Sequence, residues 1–175
     1  GLLDSGARVV LLDINEDNLK KKVKSLKTND NDITGYKCDV LDENNLKAVN
    51  DKILTKFGKI DILVNAAGGN MTSATIGLGQ TIFDMKIENF RKVTDLNLIG
   101  TVLPTLIFGE DMAKQKSGSI INISSMASTS VITRVVGYSA AKAAIDNFTK
   151  WMAVELAQKF GDKIRVNAIA PGFLI

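Results

Sequence analysis

The sequence predicts an α/β protein with a doubly wound parallel sheet, and three observations support this fold class. Short apolar runs of strand length alternate with longer segments in which apolar residues recur every three or four positions. No hairpin signal joins two of the strand-like runs. Polar or small residues follow each run. This pattern is typical of parallel strands joined by helical crossovers, with helices on both faces of the sheet. We therefore predict three layers, α/β/α, in a single domain of residues 1–175.

The strands and helices can be assigned in chain order. The strand-like runs cover residues 9–13, 35–40, 60–64, 119–124 and 164–170. The helical patterns cover residues 15–26, 41–57, 88–116 and 138–160, with Gly58 and Gly161 at the ends of two of them.

The remaining segments are turns and loops. Residues 1–8 are typical of a helix end closed by Gly6 in the left-handed conformation, and residues 70–85 predict a surface loop. Pro104 is expected to kink or end the third helix. Two helices carry apolar stripes, and the stripe of the last helix should face the sheet. These stripes are Leu46, Val49, Ile53 and Phe57, and Ile145, Phe148, Met152 and Leu156.

Composition excludes several classes of function. The absence of histidine excludes Ser-His-Asp and Cys-His catalysis within this chain and histidine-ligated metals, so no metal is expected. The single cysteine, Cys38, excludes an internal disulfide and favours a reducing compartment, which we take to be the cytoplasm. No apolar run has transmembrane length, and a net charge of +3 is too small to indicate nucleic acid binding. We therefore expect neither a membrane nor a nucleic acid partner.

Tyr138 and Lys142 form the central candidate for catalysis. Their i, i+4 spacing puts both side chains on one face of a helix. A nearby ammonium favours the phenolate and lowers the pKa of a tyrosine, which makes it a usable general acid or base. A serine at the end of the preceding strand, Ser124 or Ser125, could donate a hydrogen bond to the same substrate oxygen. The alternative is an amphipathic helix that carries this pair by chance.

Acidic residues end the first two strands, where ligands of parallel sheets bind. Asp13 could accept hydrogen bonds from an adenosine ribose, and its charge would repel a 2′-phosphate, which favours NAD over NADP. Asp39 could accept from an adenine amino group, with Val40 as an apolar wall. The alternative for each aspartate is to cap the helix that follows. Cys38 is expected to be a small buried filler.

Two features of the next elements also indicate a ligand site. Residues Asn65, Ala66, Ala67 and Gly68 carry small side chains that let the backbone approach a ligand closely. Asn97 lies within a predicted helix, where asparagine is unfavourable. It could hold a water that connects Lys142 to solvent, or it could simply face solvent.

Taken together, these motifs resemble the short-chain dehydrogenase/reductase family, in order and in spacing. The motifs are Asp13, Asp39-Val40, Asn65 to Gly68, Asn97, Ser125, Tyr138-x-x-x-Lys142 and Pro171-Gly172. The resemblance implies a Rossmann-type fold that binds a nicotinamide cofactor. It implies that Tyr138 exchanges the proton, that Lys142 binds the nicotinamide ribose, that Ser125 is the catalytic serine and that Asn97 completes a tetrad. Pro171 and Gly172 would contact the nicotinamide through their backbone.

The family pattern also contains parts that this sequence lacks. The first strand with its Gly-rich turn, the substrate-covering segment after Pro171-Gly172 and the last strand are not found. We therefore expect a segment from the middle of a longer protein.

Within the family, several segments resemble the D-mannonate oxidoreductase (fructuronate reductase) type. These include Gly68 to Asn70, Ile120 to Met126, Asn147 to Trp151 and Asn167 to Phe173. Arg134 could bind the carboxylate of a sugar acid, and Asn70 could bind a hydroxyl. The alternative for Arg134 is a solvated loop arginine.

Other functions remain open on the sequence. The substrate could be another polyol, a sugar or a 3-oxoacyl compound, or the chain could be a nucleotide sensor without turnover. The resemblance also implies a homotetramer packed through the two long helices.

Overall fold

The computed structural model describes residues 1–28 and 30–172. These residues fall into two compact units, the first ending at Gly58 and the second beginning at Lys59. All paired strands in both units are parallel, and helices alternate with them along the chain. This confirms the predicted α/β class. The strands form a two-stranded and a three-stranded sheet.

The first unit contains two strands and two helices. Strands β1 (Val9–Asp13) and β2 (Ile33–Lys37) pair in register, with Val9 opposite Ile33. Helices α1 (Glu16–Leu26) and α2 (Glu43–Phe57) follow them. Leu46, Val49 and Ile53 of α2 are buried, as the apolar stripe predicts, and Gly58 ends α2 in the left-handed conformation.

The boundaries of the first unit confirm one expectation and correct another. Residues 1–8 end a single helical turn, in which the N–H of Ser5 donates to the carbonyl of Gly1. Gly6 closes this turn with the predicted positive φ, 82°, and the N–H of Ala7 donates to the carbonyl of Leu2 across it. The side chains of Asn15 and Asp42 cap α1 and α2. The alternative roles of Asp13 and Asp39 as helix caps are therefore wrong, because each helix begins two or three residues later than those roles require.

The second unit is a three-stranded sheet in the order β3-β4-β5 with three helices. The strands are β3 (Ile62–Asn65), β4 (Gly118–Ile123) and β5 (Ile164–Ile169). The helices are α3 (Ile87–Thr94), α4 (Gly100–Lys114) and α5 (Val136–Phe160). Short 3₁₀ turns cover Thr72–Ala74, Ile82–Asp84 and Met126–Ser128.

The long helical pattern after residue 87 is interrupted by a π-helical segment, Asp95–Ile99, which connects α3 to α4. Pro104 lies inside α4 and does not end it. The expectation that Pro104 ends a helical segment is therefore wrong, whereas a kink at Pro104 stays a prediction. A π-helical turn adds one residue to the helix, and apolar periodicity does not reveal such an insertion.

One face of the three-stranded sheet carries the core of the second unit. Ile120 of β4 is fully buried there and packs with residues of α4, α5 and β5. Its buried neighbours are Met112, Ala113, Met152, Leu156, Ile164 and Val166. Side chains of successive strand residues alternate between faces, so Ile62 and Val64 of β3 point to the other face, where they are 43% and 42% exposed.

Within the ranges that the structure describes, no helix is both long and apolar enough to cross a membrane.

Replacing Ile120 with alanine is expected to lower the free energy of unfolding by about 2–5 kcal/mol, because it leaves a cavity in this core. The matched change Ile62→Ala, on the partly exposed face, should cost roughly 1 kcal/mol or less. Urea unfolding of the two variants measures both values. Equal losses would contradict the assignment of the core to the Ile120 face.

Candidate active site

Tyr138 and Lys142 lie on one side of α5, as their spacing predicts. Tyr138 is in the first turn of α5 and is partly exposed, whereas Lys142 is one turn further on and only 4% exposed. The Nζ atom of Lys142 is 5.6 Å from the centre of the Tyr138 ring. A buried cation therefore lies beside a phenol that a ligand can reach.

The environment of Lys142 is unusual for a lysine. Its Nζ donates a 2.6 Å hydrogen bond to the carbonyl oxygen of Ile123, the last residue of β4. Burial lowers the pKa of Lys142, and the carboxylate of Asp146 opposes this shift. Because water screens this ammonium poorly, its charge acts more strongly on neighbouring groups than an exposed lysine would.

The loop that follows β3 places a glycine, Gly68, next to Lys142. Gly68 has a φ of 145°, and a Cβ atom there would lie 2.6 Å from Oδ1 of Asn97 and 3.6 Å from Nζ of Lys142. No larger residue fits this position. The bare backbone at Gly68 therefore borders Asn97 and Lys142, and its close approach to a ligand stays a prediction.

Asn97 is fully buried in the π-helical segment. Its Nδ2 donates to the carbonyl oxygens of Gly69 and Val93, both at 2.8 Å, and its Oδ1 accepts from the N–H of Gly69 at 3.0 Å. Its own carbonyl accepts from the hydroxyl of Thr101 at 2.9 Å. The alternative of a solvent-facing asparagine is therefore wrong, and the amide holds the glycine backbone beside Lys142.

Two serines follow β4, and they have different partners. The Oγ of Ser125 accepts from the N–H of Ala127 at 3.1 Å, which leaves its hydroxyl hydrogen available to a ligand. The Oγ of Ser124 donates instead to the carbonyl of Lys142 at 3.4 Å. The hydrogen bonding thus favours Ser125 as the donor to a substrate oxygen.

Arg134 and Asn70 lie in the loops of this unit. Arg134 has a positive φ of 71°, uncommon for a residue with a side chain. Its Nε donates to the carbonyl of Ile76 at 2.5 Å, and its carbonyl accepts from the N–H of Ile76 at 2.9 Å. Arg134 therefore ties two loops together, a role that neither prediction for it included. The two Nη groups remain available to donate to a ligand.

Asn70 is exposed, and its side-chain amide donates to the Thr75 hydroxyl at 2.6 Å.

The predicted Pro171-Gly172 segment lies next to the turn that Ser125 begins. The carbonyl of Pro171 accepts a 3.0 Å hydrogen bond from the N–H of Met126. This bond ties the end of β5 to the 3₁₀ turn after Ser125. Phe173 lies outside the described residues.

In the first unit, the predicted ligand residues lie at the carboxyl ends of β1 and β2. Asp13 accepts from the N–H of Asn15 at 2.7 Å, and Asp39 accepts from the N–H of Leu41 at 2.9 Å. These bonds use one oxygen of each carboxylate and leave the other to accept from a ligand. Val40, the predicted apolar wall, is partly buried. Burial raises the pKa of the Cys38 thiol to about 11, which fits its expected role as a filler.

A chain of buried polar side chains was not predicted. The Nδ2 of Asn65 donates to Thr105 and to Asn122, both at 2.8 Å, and Asn122 donates to Thr149 at 2.9 Å. These bonds join β3 and β4 to α4 and α5. The available signal was Asn122 itself, a polar residue inside the apolar run of residues 120–123.

Comparisons with known proteins agree with this geometry. Residues 1–174 match the family model described as short chain dehydrogenase. An uncharacterized oxidoreductase of Haemophilus influenzae is 41% identical over 97% of this chain. The alignment covers 62% of that relative, so the chain spans less than two thirds of its length.

Solved structures show the same similarity. A Haemophilus influenza protein, provisionally described as a D-mannonate oxidoreductase and holding NAD, is 40% identical with a TM-score of 0.91. That match covers 99% of this chain and 65% of the other. ElxO with bound NADP is 30% identical with a TM-score of 0.87, over 98% of this chain and 66% of its own.

Replacing Lys142 with methionine is expected to raise the free energy of unfolding at neutral pH, because the folded protein then no longer buries an ammonium. Burial lowers the pKa of Lys142 from its ordinary 10.5. The energetic penalty is therefore complete below the folded-state pKa and is lost as the pH rises from there towards 10.5. The difference in unfolding free energy between Lys142→Met and the wild type should shrink over the same pH range.

Urea unfolding between about pH 7 and pH 10 measures this difference. Lys150→Met is the matched control, since Lys150 is an exposed lysine of the same helix and its removal should change stability little at any pH. A gain in unfolding free energy of Lys142→Met that grows with pH would contradict the proposed cost of burying this ammonium.

Proposed function

Because this chain belongs to the short-chain dehydrogenase family, we propose that the protein interconverts an alcohol and its carbonyl compound with a nicotinamide cofactor. The observation that carries this proposal is the pair Tyr138 and Lys142, with the lysine buried beside the bare backbone of Gly68. A sensor without turnover has no need of a phenol held next to a desolvated ammonium. The arrangement therefore favours an enzyme over that alternative.

The residues of the second unit fit a nicotinamide cofactor. The backbone of Gly68 is bare where a side chain would collide with Asn97 and approach Lys142. The lysine Nζ can donate to ribose hydroxyls, and the backbone of Pro171 and Gly172 would contact the nicotinamide. A bound nicotinamide supplies or accepts the hydride, and the protein supplies orientation and electrostatics.

The proton transfer in this proposal belongs to Tyr138. In the direction of reduction, its Oη donates a proton to the carbonyl oxygen of the substrate, and in oxidation it removes the hydroxyl proton. Ser125 donates a hydrogen bond to the same oxygen and stabilises the charge that develops there. The buried ammonium of Lys142 stabilises negative charge on the phenol oxygen.

Asn97 has a structural and a catalytic part in the proposal. Its amide hydrogens are both used, so a water that connects Lys142 to solvent would have to bind to an oxygen of Asn97. The amide also fixes the Gly69 backbone, next to the Gly68 position that lies over the lysine.

NAD is the proposed cofactor rather than NADP. In the first unit, Asp13 would accept from the adenosine ribose and would repel a 2′-phosphate, while Asp39 and Val40 would contact the adenine. The similar Haemophilus protein holds NAD, which supports this choice, although ElxO holds NADP.

A sugar acid of the D-mannonate or D-fructuronate type is the proposed substrate. The name of the similar Haemophilus protein and the Nη groups of Arg134, which suit a carboxylate, support it. Asn70 would bind a substrate hydroxyl through the oxygen of its amide.

A homotetramer is the proposed assembly. Three large apolar side chains on α4 and α5 are 54% to 60% exposed, and they suit an interface built from these two helices. They are Leu106, Trp151 and Val154. The lone buried cysteine, Cys38, favours a reducing compartment, and we propose the cytoplasm.

Replacing Tyr138 with phenylalanine in the full-length protein should lower kcat for reduction of a keto sugar acid by at least about 100-fold, because proton donation is lost. Oxidation of NADH followed by absorbance measures the rate, and quenching of protein fluorescence measures cofactor affinity. The affinity should change little. Tyr36→Phe is the matched control, since Tyr36 is the other tyrosine of the chain and lies in β2. Full turnover by Tyr138→Phe would overturn the proposed mechanism.

Replacing Arg134 with alanine should weaken turnover of a sugar acid more than that of a neutral polyol, because only the acid loses its bidentate partner. Arg134→Lys tests the loop contact separately, since lysine keeps the charge but lacks the Nε that binds the Ile76 carbonyl. The ratio of kcat/KM values for acid and polyol is the measurement. Equal losses on both substrates would remove Arg134 from the substrate site and leave it only its role between loops.

A further inference from the structure

Helix α3 crosses the first turn of α5 at Gly137, the residue immediately before Tyr138. Gly137 is buried. A Cβ atom at this position would lie 2.6 Å from Cγ1 of Val93 and 3.2 Å from Cδ2 of Phe90. Carbon atoms do not approach to 2.6 Å without repulsion. The two helices therefore touch at this point through a residue with no side chain.

Space, rather than backbone conformation, is the reason for a glycine here. Gly137 is not among the glycines with positive φ, so its backbone would accept alanine without strain. Glycine inside a helix costs roughly 0.5–1 kcal/mol relative to alanine. The fold accepts this cost at Gly137, where α3 and α5 need to approach closely.

Val93 has little room to give way to a larger neighbour. It is fully buried, and its β-branched side chain has one strongly preferred rotamer in a helix. Its carbonyl accepts the 2.8 Å hydrogen bond from Asn97, and Asn97 holds the N–H of Gly69 at 3.0 Å. Asn97 thus ties Val93 to the glycine backbone that lies beside Lys142.

We propose that Gly137 and Val93 form a positioning contact that sets where Tyr138 lies relative to Lys142 and Gly68. The contact connects the first turn of α5 to Asn97 through Val93, and Asn97 connects to the backbone beside Lys142. The position of the Tyr138 phenol and that of the glycine backbone, where the cofactor is proposed to bind, are therefore set by the same contacts of Val93 and Asn97. This inference rests on the proposed function and adds two positioning residues to it.

A side chain at position 137 would push the first turn of α5 away from α3. Tyr138 is the next residue and moves with that turn, whereas Lys142 is one turn further along and is held by the Ile123 carbonyl. A shift of about 1 Å at a reacting group can cost on the order of 100-fold in rate. The loss should fall on proton transfer and not on cofactor binding.

The test is a double-mutant cycle in the full-length protein, with Gly137→Ala, Val93→Ala and the combination of both. Gly137→Ala should lower kcat roughly 10- to 100-fold, with KM for the cofactor and its dissociation constant within about twofold of wild type. The pH at which kcat/KM is half-maximal should also move, since the phenol has moved relative to the ammonium. Val93→Ala in the Gly137→Ala background should restore most of the lost kcat, because it removes the colliding Cγ1 atom.

Gly109→Ala is the matched control. Gly109 is a buried glycine of α4, and a Cβ there would meet Cδ1 of Ile120 at 3.3 Å, so the same chemical change crowds the core away from Tyr138. This variant should keep kcat and the pH profile at a temperature where it is folded. A merely structural effect of crowding would lower stability in both variants and leave both pH profiles unchanged.

Two results would overturn the inference. One is Gly137→Ala with wild-type kcat and pH profile, and the other is the absence of any recovery in the double variant. If Gly137→Ala does not fold, a folded double variant with recovered activity supports the contact, and an equally unfolded double variant contradicts it.

The proposed function fails separately, when the wild-type protein shows no cofactor-dependent turnover of any carbonyl compound. A crystal structure of Gly137→Ala then decides the inference. The distance from Lys142 Nζ to the Tyr138 ring centre, 5.6 Å in the wild-type structure, should change, and an unchanged distance would contradict the contact.

Discussion

The side-chain amide of Asn97 makes three hydrogen bonds in a space closed to solvent, and the rest of the second unit's site is built around them. Two of these bonds hold the backbone of Gly69 from both sides, and the third reaches Val93 in the preceding turn. A buried amide that lost these partners would leave unsatisfied donors at a cost of about 1–3 kcal/mol each. These bonds therefore hold the glycine backbone in the position where no side chain covers Lys142 from the side of Gly68.

The position of Asn97 follows from the π-helical segment between α3 and α4. One added residue in a helix rotates the residues that follow, and such segments are frequent at functional sites. The hydroxyl of Thr101 bonds to the carbonyl of Asn97, and the hydroxyl of Thr105 bonds to the carbonyl of Thr101. The segment is thus supported by side chains of the next helix, which also reach Asn65 at the end of β3.

This chain of polar groups explains how a site with so many buried hydrogen-bonding residues remains stable. Asn65, Asn122, Thr105 and Thr149 satisfy one another across β3, β4, α4 and α5. These mutual hydrogen bonds favour one arrangement of the four elements, because another arrangement would leave buried polar atoms without the partners they have here. Lys142 is also buried, and its Nζ donates to the carbonyl oxygen of Ile123 at the end of β4.

The sequence predicted those features that arise from local patterns. The strand and helix order, the apolar stripe of α2, the left-handed Gly58 and the shared face of Tyr138 and Lys142 all depend on spacing along the chain. The π-helical segment, the tie between Arg134 and Ile76 and the contact between Gly137 and Val93 could not be predicted in this way. They depend on which distant residues meet, and a glycine that is needed for space has the same sequence signature as one that ends a helix.

The chemistry proposed for the protein reduces to one phenol, held next to a buried ammonium, that exchanges a proton with a substrate oxygen. The most direct measurement is the distance between Oη of Tyr138 and the carbonyl oxygen of the substrate, in a crystal structure of the full-length protein with NADH and a slowly reacting keto sugar acid. We expect a hydrogen bond of about 2.5–3.0 Å between these two oxygens. A reacting oxygen that binds to other groups, with Tyr138 beyond hydrogen-bonding distance, would contradict it.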